Sequence, residues 1–438
     1  MTLALVLSVL FGSGTTAVKA DNEDYGTEAY QDLQVIFENF GWRINNNELN
    51  GGDKTQLNSM ARWINEKMSM WGYNVRYFDG AIENHSFRSL TYKKAGKSEK
   101  RIVIGAHYDC AETYGVEDNG TGVSLALELA ERFADTETNL TLEFCFWDGE
   151  EYRGMAGSYL YLEQVEDIDN IFCYINLDSI GSGDNMYVYG GKYDDGGVLQ
   201  QSWGYNMAMT LSQELGVDIH EMPDGIGRYV RPTRNDASDQ YYFYQRNIPY
   251  VYFEANAWLT ADGTEGNPEK PYNYNSVLEA FSDTNGRIIH TKYDNLNTLE
   301  AIVPGRIQEH LTGFSKVVSE MIRQMDLSSP ETYAKYVHYT APVDPEETTE
   351  VKETTAEASE EATAETSEET TAETATEEVT TEEASIETEA VPVTTEEATA
   401  EKTPLDPVSV GSFVILGLMG IVALFAIIRI IMLATNKK

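Results

Sequence analysis

The sequence predicts an α/β fold, a three-layer sandwich of helices around a mostly parallel mixed sheet. Two observations carry that reading. Short runs rich in β-branched and aromatic residues alternate with amphipathic helical stretches, the order expected of strands joined by helices. Ionisable side chains also gather where the apolar runs stop, as they do at the carboxyl ends of strands in open α/β sheets.

The elements follow in chain order. Glu28 to Phe40 and Thr55 to Trp71 are helical by period, and in the second Leu57, Met60, Ala61, Ile64 and Met68 fall on one face. Past them the period shortens. Asn74 to Phe78 (NVRYF), Arg101 to Ala106 (RIVIGA), Thr141 to Trp147 (TLEFCFW), Ile171 to Leu177 (IFCYINL) and Tyr250 to Ala255 (YVYFEA) read as strands. Thr121 to Ala134 is an amphipathic helix with Val123, Leu127, Ala130 and Phe133 on its apolar side. A last helix, from Leu299 to Met325, closes the domain.

Composition divides the chain. It has 438 residues and a formal net charge of -41, which excludes a nucleic-acid binder, since phosphate contacts need a basic face. Residues 342–407 form a Glu/Thr/Ala tract with almost no large apolar side chains, expected to be a disordered stalk. Residues 21–341 are left as one globular domain. Thr2 to Gly12 is an apolar run followed by Val18-Lys19-Ala20, so residues 1–20 are expected to be a signal peptide. The uncharged stretch from Val408 to Ile428 opens an expected transmembrane helix at 408–433. Arg429, Lys437 and Lys438 put the tail at 434–438 in the cytoplasm, the globular domain outside, and the chain in the cell membrane as a single-pass protein. No protein partner is indicated. Cys110, Cys145 and Cys173 lie in strand-like contexts and read as buried free thiols.

The ionisable cluster carries the chemistry. His107 and Asp109 follow RIVIGA, Glu150 and Glu151 follow TLEFCFW, and Asp178 follows IFCYINL. Carboxylates converging on one edge repel unless a cation neutralises them. Nitrogen and oxygen donors without thiolate suit zinc, with manganese or cobalt as alternatives. The adjacent pair Glu150 and Glu151 follows Gly149, which can break the strand alternation and let neighbouring carboxylates approach one centre from different sides. His85, His220, His310 and His338 read as surface or helix residues.

Together the motifs His107-Tyr108-Asp109, Glu117-Asp118-Asn119-Gly120-Thr121-Gly122, Asp148-Gly149-Glu150-Glu151, Asn176-Leu177-Asp178, Ser238-Asp239-Gln240 and His290-Thr291 resemble the co-catalytic zinc aminopeptidase family over residues 40 to 325. That family includes bacterial leucyl and Streptomyces-type aminopeptidases and is related to glutamate carboxypeptidase, the transferrin receptor and glutaminyl cyclase. The resemblance implies a zinc-peptidase sandwich. It also implies two zinc ions held by His107, Asp118, Glu151, Asp178 and His290, with Asp118 bridging, a cis peptide after Asp118, and Glu150 as general base. Asp109 is expected to orient the His107 imidazole. The expected substrates are peptides, cleaved at their N-terminal residue. Glutaminyl cyclase, carboxypeptidase and a catalytically inactive receptor-like homologue are the alternatives.

The sequence departs from the family at three places. Ile289 stands where many members have a carbonyl-polarising Tyr, Gln240 replaces a His, and Asp294-Asn295 replaces the usual Asp-Thr pair.

Overall fold

The computed structural model of the chain describes residues 24–46, 49, 52–83, 85–221, 232–235, 238–258, 275–327 and 336. The expected signal peptide, stalk, span and tail lie outside them. Among the described residues, no helix is long and apolar enough to cross a membrane.

Helices α1 (Thr27–Asn39) and α2 (Thr55–Met70) precede strands β1 (Val75–Ile82), β2 (His85–Lys94) and β3 (Ser98–His107). Next come α3 (Thr121–Phe133), β4 (Leu140–Trp147), the one-turn α4 (Glu150–Arg153), α5 (Ala156–Gln164), β5 (Ile171–Leu177) and β6 (Asn185–Gly190). The short β7 (Lys192–Tyr193) and β8 (Leu199–Gln200) lead to α6 (Trp203–Leu215), β9 (Ile219–His220), α7 (Gln240–Gln245) and β10 (Tyr250–Asn256). The domain ends with α8 (Leu296–Ile302) and α9 (Arg306–Asp326). The main sheet runs β1-β2-β4-β3-β5-β10-β6-β9, with a parallel centre of β4, β3, β5 and β10, antiparallel pairings of β1 with β2, β2 with β4 and β10 with β6, and a short parallel pairing of β6 with β9 at the edge.

Strand alternation explains the layers. In β3 and β4, Ile102, Ile104, Leu142, Phe144 and Phe146 join the larger core with α1, α3, α6 and α9, while Val103, Cys145 and Trp147 face the core shared with α5 and α7. Both faces are therefore covered, as a parallel sheet requires. The second face is aromatic, and its hydroxyls need partners: Tyr161 donates to Glu143 at 2.9 Å, and Tyr189 and Tyr252 donate to Glu254 at 2.7 and 2.9 Å. Arg101 and Arg234 pair with those two buried glutamates.

The structure corrects some finer expectations. The last helix is two, α8 and α9, because Pro304 offers no N–H and Gly305 takes a left-handed φ of 78°. His85 is no surface residue but fully buried in β2, and His310 is buried on α9. His220 lies in the short strand β9. All three cysteines are free and buried, as expected.

Candidate metal centre

Strand register assembles the centre. His107 ends β3 directly opposite Trp147, so residues 148–151 leave β4 beside it. Gly105 pairs with Asn176, which brings Asp178 off the end of β5 on the other side. Asp118 sits in the tight turn of residues 116–120 that opens α3, and the Asp118-Asn119 peptide is cis. The buried Asn119 amide locks this turn. It donates to the Leu177 carbonyl at 2.8 Å and accepts from Gly122 N–H at 2.9 Å and Ser179 N–H at 3.3 Å.

Two groups of three side chains result, His107 with Asp118 and Asp178, and Asp118 with Glu151 and His290. In each, one ligand atom per residue lies within 4.8 Å of the others. Asp118 belongs to both: Oδ1 is 3.1 Å from His107 Nε2 and Oδ2 is 2.9 Å from His290 Nε2. Asp178 Oδ1 stands 3.3 Å from His107 Nε2, and Glu151 Oε2 stands 2.9 Å from His290 Nε2.

The residues fit a metal. His107 Nε2 is buried with two carboxylate oxygens close by, from Asp118 at 3.1 Å and from Asp178 at 3.3 Å. Such convergence on one nitrogen suits ligands around a shared cation. Electrostatics point the same way. Burial pushes the Glu151 carboxyl up, aided by Asp118 and opposed by His290. Burial also pushes Glu150 well up; His107 opposes it, and Glu151, Asp178 and Asp239 add to it. Burial would raise Asp118 as well, but His107 and His290 hold it below the usual carboxylate range. Burial would lower the two imidazoles, yet Asp178 for His107 and Glu151 for His290 hold them well above theirs.

Asp109 meets the imidazole through its backbone carbonyl, 3.2 Å from His107 Nδ1, and also through its carboxylate. Its Oδ1 lies 3.4 Å from His107 Nδ1, and its two oxygens accept the N–H groups of Glu150 and Glu151, each at 3.3 Å. It therefore caps α4 while facing the imidazole. Gly149 enters α4 with φ 82°, the turn away from strand geometry anticipated from the sequence.

The bonds of several supporting residues escaped sequence reasoning. Asp294 accepts from Glu117 N–H at 2.6 Å and from the Thr113 hydroxyl at 3.1 Å, and burial pushes its carboxyl up to about 7. Glu117, pushed by burial to about 8, accepts from the N–H groups of Gly181 and Ser182. Asp148 accepts from Asn45 and from Arg88 N–H. Gln240, where the family has a His, accepts from Asn176 at 2.8 Å and donates to the Arg234 carbonyl. Glu117, Asp148, Gln240 and Asp294 were named from the sequence, but none of these bonds was legible there.

The model for peptidase family M28 matches residues 90–315. The chain belongs to peptidase family M28. As an M28 peptidase it is a metallo-exopeptidase, and the family implies zinc. Among relatives, the alkaline phosphatase isozyme conversion protein of Escherichia coli K12 is 25% identical over 303 residues, covering 61% of this chain and 84% of that protein. Leucine aminopeptidase 2 of Trichophyton equinum is 29% identical over 162 residues, which is 36% of this chain and only 31% of the relative's length. Similar solved structures include the LapA aminopeptidase of Legionella pneumophila (18% identity, TM-score 0.49, 69% of this chain and 72% of that one). Another is a glutaminyl cyclase of Porphyromonas gingivalis (16%, TM-score 0.48, 69% and 99%).

Proposed function

We propose that this M28 peptidase is an aminopeptidase that removes the N-terminal residue of peptides, with His107, Asp118 and Asp178 holding one zinc ion and Asp118, Glu151 and His290 a second. The observation that carries this reading is Asp118, whose two carboxylate oxygens face different imidazoles. Bound there, the ions would acidify a water and polarise the scissile carbonyl.

The chain's own residues supply the proton handling. Glu150 lies among His107, Glu151, Asp178 and Asp239, and its raised carboxyl suits a base that holds a proton and returns it to the leaving amine. Asp109 is a positioning residue that acts through His107 and α4. On the sequence alone, we further propose that residues 342–407 are a stalk and 408–433 a membrane span, with the peptidase domain outside the cell.

Glu150→Gln should keep zinc content near wild type while lowering turnover of leucyl-p-nitroanilide about 100-fold or more. Glu151→Ala should lose zinc. Equal zinc in the two variants, or full activity in Glu150→Gln, would refute the assignment. Cyclisation of N-terminal glutaminyl peptides without hydrolysis would place the chain with the cyclases instead.

A further inference from the structure

Beside the centre, two large rings are left in water. Trp42 is 45% exposed and Tyr114 40%, with centroids 6.4 Å apart and nearly edge-on, and Phe37 supports Tyr114 from 5.3 Å. Their setting is built with care. Trp42 has a φ of 60°, a conformation bulky residues rarely adopt. It is fixed by Trp42 N–H to the Thr113 carbonyl at 3.1 Å and by Ile44 N–H to its own carbonyl at 2.9 Å. A Cβ on Gly41 would come within 2.8 Å of the Tyr114 ring, so glycine there lets the ring lie against the backbone.

Beneath them lies Arg43, fully buried. Its guanidinium donates to the carbonyls of Tyr108 (2.7 Å), Phe40 (3.0 Å), Tyr114 (3.1 Å) and Gly115 (2.7 Å). The segment before α2 is thereby clamped to the loop between Asp109 and Asp118. An unfavourable backbone held by this many contacts points toward function.

The rings are close to the ligands. Ala111 N–H donates to Glu151 Oε1 at 3.0 Å, and two residues later the Thr113 carbonyl holds Trp42. Those links put the Trp42 backbone within about 14 Å of the Glu151 carboxylate. An extended peptide advances about 3.3 Å per residue, so the Trp42 backbone is within reach of its first four residues. The first residue must sit against the buried ligands, and the remainder must leave toward solvent, to which both rings are exposed.

We propose that Trp42 and Tyr114 form an aromatic ledge that holds an apolar or aromatic side chain of the substrate peptide on the C-terminal side of the cleaved bond. This rests on the aminopeptidase reading and adds the substrate class: peptides with a hydrophobic residue at the second, third or fourth position. A ring on this preorganised ledge gains contact at small entropic cost.

The test walks Phe through those three positions of Leu-Ala-Ala-Ala and compares wild type with Trp42→Gly, Tyr114→Ala and Trp42→Phe. Glycine tolerates the φ of residue 42, so ring loss is separated from misfolding. In wild type, Phe at one position should lower KM about 3- to 10-fold against the all-Ala peptide. That ratio should shrink toward one in the first two variants and be retained in Trp42→Phe. A wild type indifferent to Phe, or an unchanged ratio in both truncated variants, overturns the ledge. So does a loss expressed in kcat rather than KM. Calorimetric binding of the same peptides, in a zinc-loaded Glu150→Gln background, reads the ledge without hydrolysis. If no peptide is cleaved by wild type but the Phe preference in binding still depends on Trp42, the ledge stands and the aminopeptidase reading falls. If binding shows no Phe preference, the ledge falls.

Discussion

His310 should make the fold sensitive to acid. Its ring is 7% exposed on α9, and its Nδ1 has no hydrogen-bond partner among the described residues. Burial, with Arg306 adding to it, pushes the imidazole down to about 3, against a small opposing effect from the Gly181 backbone. In the unfolded chain the same ring titrates near 6.5. The folded value is the lower one, so below about pH 6.5 the unfolded state takes up a proton that the folded state refuses. Stability from this residue is complete above that pH and is lost progressively down to about pH 3. Between pH 7.5 and pH 5 the loss amounts to about 2 kcal/mol. Urea unfolding of wild type and His310→Gln at both pH values isolates the effect, because the other titrating groups are common to the two proteins. Wild type should lose about 2 kcal/mol more than the variant over that interval. Equal losses would mean that the ring is solvated or paired when protonated, and would refute the reasoning.

Two further substitutions test how the centre is supported. Arg43→Lys replaces a planar fork with a point charge that cannot reach four carbonyls. Each buried carbonyl left without a donor costs about 1–3 kcal/mol, so thermal denaturation should show a loss of at least about 2 kcal/mol. Gly149→Ala puts a Cβ 2.3 Å from the Phe87 ring and forces alanine into a φ of 82°. The left-handed backbone alone costs about 1–2 kcal/mol. Zinc content should fall together with stability, since Glu150 and Glu151 follow that turn; full zinc occupancy in a destabilised protein would show that the turn does not position them.

The parallel centre of the sheet was legible because its strands are buried on both faces and read as continuous apolar runs, Ile171–Leu177 to the residue. Among the proposed ligands, His107, Glu151 and Asp178 were legible for a related reason, since each follows such a run, whereas Asp118 and His290 came only through the family resemblance. β2 was not. Its sequence HSFRSLTYKK mixes buried and exposed positions, with His85, Ser89 and Thr91 buried, and polar residues conceal a strand from hydrophobic patterning. Period carried the last helix through Pro304-Gly305, where backbone chemistry breaks it. Arg43 and the bonds of Asp294 lay beyond local reading. Their partners are 65 to 72 residues away for most of the Arg43 bonds and 177 for the Asp294 bond to Glu117, and no spacing rule spans such separations.

The carboxylate of Asp109 acts as a yoke. Through His107 it follows the position of a proposed metal ligand, and through the first two N–H groups of α4 it follows Glu150 and Glu151. A change in the radius of the bound ion that shifts the imidazole is thus transmitted to a glutamate outside the proposed ligand set. Exchanging the metal would then alter the timing of proton transfer as well as the strength of carbonyl activation. If the proposed ligands and base are right, metal preference and proton-transfer geometry would be one inherited trait, and selection on either would drag the other along.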